Sequence, residues 1–503
     1  MPETIFDIFV IGGGVNGAGI ARDAAGRGLR VGLAEMDDLA SATSSASTKL
    51  FHGGLRYLEY YKFRLVREAL IEREVLLRNM PHISWPMRFV LPLHKDMRPA
   101  WLIRLGLFMY DHMGGRKILP GTKVLDLTKD EAGKPLKPFL KKAYEYSDCW
   151  VQDSRLVVLN AVDAAARGAE ILTRTKVISA KRRGQYWEVE LNERGAYRKL
   201  RTKVLVNAAG PWVAKVLRDT LEIDTREGVR LVRGSHIVVK KLFEHDRAYF
   251  FQGSDNRIIF AIPYEQDFTL IGTTDQDQTA LDPPECSPEE ADYLRHFASE
   301  YFAEPIAAED IVWTYSGVRP LYDDGASSAT EATRDYVLSL DEDGPPLLSV
   351  FGGKITTYRK LSEAALARLD SHLEAKSGNW TAEAPLPGGD FPHDAVPRLI
   401  ADLQAQYPFL APKLAKRLIR TYGTLAGKML GEARDMSDLG QDFGGGLSEA
   451  EARWLVENEF AVSAEDIIWR RTRLGLHMPP EGVKRLKAWL IEQKGHESIK
   501  KVS

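Results

Sequence analysis

Only two cysteines, Cys149 and Cys286, occur in the 503-residue chain. This scarcity excludes a disulfide framework, a CxxC redox pair and a cysteine-based zinc site, and it points to a reducing compartment. Neither sign of charge is in excess: 68 Lys and Arg stand against 70 Asp and Glu, a formal net charge of -2. A globally basic nucleic-acid binder is thereby excluded, although a local basic patch is not. No uncharged apolar stretch reaches about 18 residues, so no transmembrane helix is predicted. Nor does a basic leader precede the first apolar run in MPETIFDIFVIGGG, which reads as a buried first strand and not as a secretory or transit signal. There is no HExxH motif and no internal repeat.

What is present is a globular composition, 44% hydrophobic and 27% charged, in a chain long enough for about two to four domains. The opening segment is the most legible. Phe6 to Ile11 reads as a strand, Gly12-Gly13-Gly14-Val15-Asn16-Gly17 follows at once, Ala18 to Gly28 reads as a helix, and Arg30 to Ala34 as a second strand ending at Glu35. A βαβ unit with GxGxxG in its turn lets a pyrophosphate approach backbone N–H groups at a positive helix N-terminus. Gly12, Gly14 and Gly17 are the candidate contacts. Glu35 is placed to bond a ribose hydroxyl, and an acid there disfavours a 2′-phosphate. The hydroxyl-rich run from Ser41 to Lys49, continuing into His52-Gly53-Gly54-Leu55-Arg56-Tyr57, replaces the short β-α element that follows in an NAD domain, and it suits a chain lying along an extended cofactor.

Further along, Arg155 to Arg167 reads as a helix, Glu170 to Ser179 and Gln185 to Leu191 as strands, and Lys203 to Trp212 as a buried strand entering a small-residue turn at Ala208-Ala209-Gly210. Gly228 to Asp275 alternates apolar and polar residues as an antiparallel sheet does. Leu347 to Phe351 is a strand into Gly352-Gly353-Lys354, followed by a helix with Tyr358, Leu361, Ala365, Leu369 and Leu373 on one face. Arg359, Lys360, Arg368 and His372 flank that stripe, so the helix is either core-facing or partly interfacial. Between Trp85 and Lys117, Arg88, Lys95, Arg98, Arg104, Arg116 and Lys117 oppose only Asp96 and Asp111 and interleave with Phe89, Trp101, Leu107 and Phe108. Such a segment suits an anionic headgroup layer or, equally, a buried subdomain with a basic rim.

GGGVNGAG, Glu35, TSSASTKLFHGGLRYLE, VNAAGPW, YSGVRPL and FGGKITTYRK, in this order along one chain, resemble the FAD-dependent aerobic glycerol-3-phosphate dehydrogenases of bacteria over almost the whole length. The resemblance implies FAD as cofactor and oxidation of sn-glycerol 3-phosphate to dihydroxyacetone phosphate. It also implies electrons passed to a membrane quinone, and a cytoplasmic protein held peripherally on the inner face of the cytoplasmic membrane at an anionic surface. Nucleic acid is not an expected partner, and a homodimer is left open. Mitochondrial relatives carry EF-hand loops; here the nearest approach, Asp341 to Gly344, would put Ser339 and Val350 at the first and twelfth loop positions, which cannot coordinate calcium. No metal site is expected.

The expected fold is α/β. A Rossmann-like FAD-binding domain comprises residues 1–80, 145–215 and 345–376, with a membrane-facing insertion at 81–144 and an inserted antiparallel-sheet substrate domain at 216–344. A Gly/Pro-rich linker, 377–397, leads to an all-α C-terminal domain, 398–503, that caps the core or mediates dimerisation.

A dianionic phosphate needs fixed cations, and Arg56, Arg319 and Lys354 each sit in a Gly- or Pro-flanked turn; Tyr57 is a further substrate contact. Loss of the hydroxyl proton needs a base, for which His236 is favoured, with His52 near the flavin or exchanging roles with it, and Arg319 beside the developing alkoxide. Ser44, Ser45, Lys49, Val177, Ala209, Gly210, Gly352, Gly353 and Lys354 complete the expected cofactor contacts, the Gly352-Gly353 turn aiming helix N–H groups at the flavin pyrimidine carbonyl. Three alternatives remain from the residues: a soluble oxidase passing electrons to oxygen, an FAD-containing RNA-binding or scaffold protein, and an NAD-dependent enzyme.

Overall fold

Val, Ile and Phe crowd Ile5–Ile11 with no polar alternation, and such a run needs cover on both faces. The structure, a computed structural model, describes residues 5–225, 227–253, 257–323 and 335–500. In it Ile5–Ile11 pairs in parallel with Val31–Ala34 on one side and with the second half of Ala196–Asn207 on the other. Glu170–Leu172 and Leu347–Phe351 extend the parallel set outward, and Val337–Asp341 closes one edge antiparallel. Helices Val15–Gly26, Asp153–Ala166 and Tyr358–Arg368 cover one face through Ala18, Ala21, Val157, Ala161, Leu361 and Ala365. This is the expected Rossmann-like half.

The second sheet is built around Val229–Lys240, which lies antiparallel between Phe268–Gly272 and Ile311–Tyr322. It reaches further than residues 216–344. Ser84–Pro92, Lys142–Val151 and Leu50–Phe51 join it, with Ser84–Pro92 running parallel to Ala248–Gln252. The 81–144 segment is therefore partly sheet and not a separate insertion, because Met87, Phe89, Val90 and Leu91 have a core to fill. What stays exposed is the helix Ala100–Met113, whose Trp101, Leu105 and Phe108 form one outward stripe.

Of the two readings of the helix Tyr358–Arg368, the core-facing one holds: Arg359 is buried, bound to Glu72 at 2.6 Å and paired with Glu363. One other expectation is corrected. Residues 377–397 are a packed strap and not a loose linker. Trp380 packs against the guanidinium groups of Arg22 and Arg167, and the Leu386 N–H donates to the Asn79 carbonyl at 2.8 Å. Gly and Pro turn the chain there without freeing it.

The C-terminal body is helical, with a two-stranded hairpin of Asp442–Gly444 and Leu447–Ser448. Buried ion pairs seat it on the rest. Arg155, from the first half, pairs with Glu459, and Arg471 grips Asp38 at 2.7 and 2.8 Å. Removing one partner of a buried pair leaves an uncompensated charge, a cost of about 3–5 kcal/mol. Glu459→Gln is therefore expected to lower the thermal midpoint clearly, whereas Glu481→Gln, which breaks an exposed pair with Lys484, leaves it unchanged.

Candidate active site

The first strand ends at Gly12, held at φ 110°. A Cβ there would sit 2.6 Å from the Ala208 carbonyl oxygen, and one on Gly17 would sit 1.9 Å from the Gly12 carbonyl oxygen. Only glycine lets strand, turn and helix approach this closely. The Val15 N–H donates to Ser44 Oγ at 3.0 Å, which pins the hydroxyl-rich segment to the helix start beside Gly14. Glu35 accepts from the Gly13 N–H at 2.7 Å and from the Asp37 N–H at 2.9 Å. Burial pushes its carboxyl up from the usual carboxylate range, against the pull of those two donors. Glu35 thus orders the turn.

A second glycine turn meets the first. Asn16 Nδ2 donates to the Gly352 carbonyl at 3.2 Å, and Gly352 and Gly353 hold φ of 70° and 98°. A Cβ on Gly353 would lie 2.9 Å from Leu361 Cδ1. Asn16 Oδ1 is buried and finds no hydrogen-bond partner among the described residues. Val177 packs in the same cluster as Ile11 and Ala34, while Ala209 and Gly210 follow Ala208, whose N–H donates to the Ile11 carbonyl. Ser45 gives its carbonyl to Lys49 Nζ at 2.9 Å, and Lys49 also pairs with Asp153 at 3.0 Å. Burial, with Arg473 nearby, brings the Lys49 ammonium down to about 8 despite Asp153. Its side chain holds the segment's backbone in place.

The substrate candidates fall into two neighbouring groups. In one, Lys354 Nζ stands 3.9 Å from the centre of the Tyr57 ring, Arg56 is half-buried in the same turn as Tyr57, and the His52 N–H donates to Thr356 Oγ1 at 3.3 Å. In the other, Arg319 Nη2 donates to Thr273 Oγ1 at 3.0 Å while Nη1 pairs with Asp275. Their adjacency follows from Gly352, whose Cβ would lie 3.6 Å from the carbonyl oxygen of Pro320, the residue after Arg319.

His236 belongs to the second group. Its ring is 1% exposed, stacks on Tyr315 with centroids 4.6 Å apart, and has Nε2 3.0 Å from Thr48 Oγ1. Gly272 makes room for it, since a Cβ there would be 2.1 Å from His236 Cδ2. Nδ1 is buried without a hydrogen-bond partner among the described residues. Burial first, then the charges of Arg319 and Lys49, hold the imidazole well below its ordinary pKa. Burial and these charges keep the ring in its neutral form, which leaves one ring nitrogen unprotonated. Thr48, Asp275, Tyr315 and Asn16 were not singled out from sequence; Thr48, Tyr315 and Asn16 lie inside motif strings and Asp275 ends the alternating 228–275 segment, but only the fold shows what each touches.

A two-turn glycine cradle with basic side chains and a buried histidine nearby fits a dinucleotide-dependent oxidoreductase. Residues 7–359 match the FAD dependent oxidoreductase family, and residues 379–490 match the C-terminal domain of alpha-glycerophosphate oxidase. The chain is 52% identical over 481 residues to D-erythritol 1-phosphate dehydrogenase of Brucella abortus, covering 95% of this chain and 96% of that one. It is 49% identical over 492 residues to the aerobic glycerol-3-phosphate dehydrogenase of Escherichia coli, covering 97% of each. The solved glycerol-3-phosphate dehydrogenase of Bacillus halodurans, complexed with FAD, superposes with a TM-score of 0.78 at 28% identity over 98% of this chain and 91% of its own. The chain belongs to the FAD dependent oxidoreductase family and, within it, to the bacterial glycerol-3-phosphate dehydrogenases.

The residues fit FAD. The backbone at Gly12 and Gly352-Gly353 is stripped of side chains where a flat, charged cofactor must pass, and Asn16 Oδ1 is an acceptor with no donor among the described residues. Because a methyl group on Gly17 would overlap the Gly12 carbonyl, Gly17→Ala is expected to be purified without bound FAD, as measured by its visible absorption against protein content.

Proposed function

We propose that the protein oxidises sn-glycerol 3-phosphate to dihydroxyacetone phosphate. The observation that carries this reading is the adjacency of the Lys354–Tyr57 contact, Arg319, which lies within the strand Ile311–Tyr322 and not in the turn expected from its Pro neighbour, and the neutral His236 ring. Arg56, Lys354 and Arg319 hold the phosphate dianion, Arg319 with a planar fork of donors and Lys354 as a point charge. His236 takes the proton of the substrate hydroxyl, and Arg319 lowers the cost of negative charge on that oxygen. His52 lies on the Lys354 side, where it orders the flavin end of the pocket. FAD, when bound, supplies the acceptor for the hydride.

A second reading is favoured by the relative that acts on D-erythritol 1-phosphate: a longer polyol phosphate held by the same cations. Comparing kcat/KM for the two compounds separates them. The higher value is expected for sn-glycerol 3-phosphate, and the reverse order assigns the second reading. Arg319→Ala is expected to lower turnover by about 100- to 1,000-fold with normal FAD content; near-normal turnover removes Arg319 from the site.

The same reading sends electrons to a membrane quinone at an anionic surface. Trp101, 69% exposed, and Phe108, 53% exposed, share their stripe with Leu105, and Tyr60, Tyr61 and Phe63 are exposed on the neighbouring turn that packs against this helix. Lys62, Arg64 and Arg98 are exposed nearby in sequence. Apolar rings with a cationic border suit insertion at the headgroup level. No described helix is long and apolar enough to cross a membrane. Replacing Trp101 and Phe108 by Glu is expected to release the protein from sedimenting anionic vesicles while leaving turnover with a soluble acceptor intact.

A further inference from the structure

The C-terminal body reaches His236 by two routes. The first is polar. Arg473, buried and held at φ 59°, pairs with Asp153. Asp153 accepts from Ser47 Oγ at 2.7 Å and from Lys49 Nζ at 3.0 Å, and the Ser47 carbonyl accepts from the Tyr315 hydroxyl at 2.9 Å. The second route is a column of rings. Trp469 stacks on Trp313 at 4.6 Å, Trp313 contacts Tyr315 at 5.0 Å, and Tyr315 stacks on His236 at 4.6 Å. Gly475 makes the column possible, because a Cβ there would lie 2.5 Å from Trp469 Cε2.

We propose that Arg473 is a positioning residue for the reaction: through Asp153 and Ser47 it fixes Tyr315, the platform on which the His236 ring is seated. The inference rests on the reading of His236 as the proton acceptor. A non-glycine residue in the left-handed region is uncommon and persists where its surroundings over-determine it. Here those surroundings are the carboxylates of Asp153 and, 4.0 Å away, Glu265. Neither carboxylate is on the C-terminal body; both belong to the halves that build the pocket. The geometry thus gives this body a task beyond capping the core.

The test uses the FAD-loaded full chain. Arg473→Ala is compared with Tyr315→Phe, which keeps the ring and deletes the hydroxyl, and with Arg420→Ala, which loosens a different contact between the same bodies at Pro81 and Trp85. Two quantities are read: the rate of flavin reduction by sn-glycerol 3-phosphate without oxygen, and the carbethoxylation of His236 by diethyl pyrocarbonate, followed by peptide mass spectrometry. Arg473→Ala and Tyr315→Phe are each expected to slow reduction by about 100-fold with KM little changed, as displacement by about 1 Å does. The double variant is expected to be no slower than either, as members of one chain of contacts are. His236, protected in the wild type, becomes reactive in both.

Wild-type reduction with a protected His236 in Arg473→Ala overturns the proposal, as does an equal loss in Arg420→Ala. If Arg473→Ala does not retain FAD, Tyr315→Phe decides: slow reduction with a reactive His236 supports the assignment and unchanged behaviour overturns it. If the wild-type flavin is not reduced by either polyol phosphate, the functional reading fails instead, and His236 reactivity alone then decides the positioning role.

Discussion

Backbone meeting backbone at two glycine turns is the constraint on which the rest of the structure depends. With 1.9 Å between a would-be Gly17 Cβ and the Gly12 carbonyl oxygen, no side chain is admissible. The helix Val15–Gly26 therefore starts directly over the end of Ile5–Ile11, its N–H groups exposed to an anion. Asn16 carries that position across to Gly352, and Gly352 lies against Pro320, so the cofactor cradle and the substrate strand are placed by one set of contacts. A shift at Gly12 would move Arg319 as well.

Charge is then arranged around this frame in two different ways. Arg56 and Lys354 sit half-buried, and Arg319 is 26% exposed; they remain accessible to a small dianion even where they have protein partners. Arg155, Arg359, Arg471 and Arg473 are buried and matched to carboxylates, where they join segments distant in sequence. The near-zero net charge of the chain, 68 Lys and Arg against 70 Asp and Glu, hides this difference between accessible and matched cations. The His236 ring is neutral for a local reason. It is removed from water by the sheet and lies near Arg319 and Lys49, which disfavour a further positive charge.

The steric part of this arrangement was legible in the sequence because it is local and admits few residue types. GGGVNGAG and FGGK name their own geometry, and Leu347–Phe351, Ile5–Ile11 and the Val229–Lys240 sheet were readable from their apolar patterns. What could not be read depends on pairing between distant segments. Trp85 and Phe89 looked interfacial beside Trp101, but Phe89 fills a sheet core and the Trp85 ring is covered by Arg420. The strap at 377–397 looked like a linker because Gly and Pro mark both turns and flexibility; only the packing of Trp380 against Arg22 and Arg167 distinguishes them. Likewise nothing near Arg473 in sequence points to Asp153. An exposed Tyr60-Tyr61-Phe63 edge next to the Ala100–Met113 helix is equally invisible until the two are packed together.

The central claim is that this frame presents a polyol phosphate to FAD with a proton acceptor in place. It is tested most directly by mixing the purified protein with sn-glycerol 3-phosphate in the absence of oxygen and following the visible absorption of the oxidised flavin. The account predicts that the absorption is lost on mixing and returns when a quinone analogue is added. A flavin that stays oxidised with sn-glycerol 3-phosphate and with D-erythritol 1-phosphate alike would contradict it.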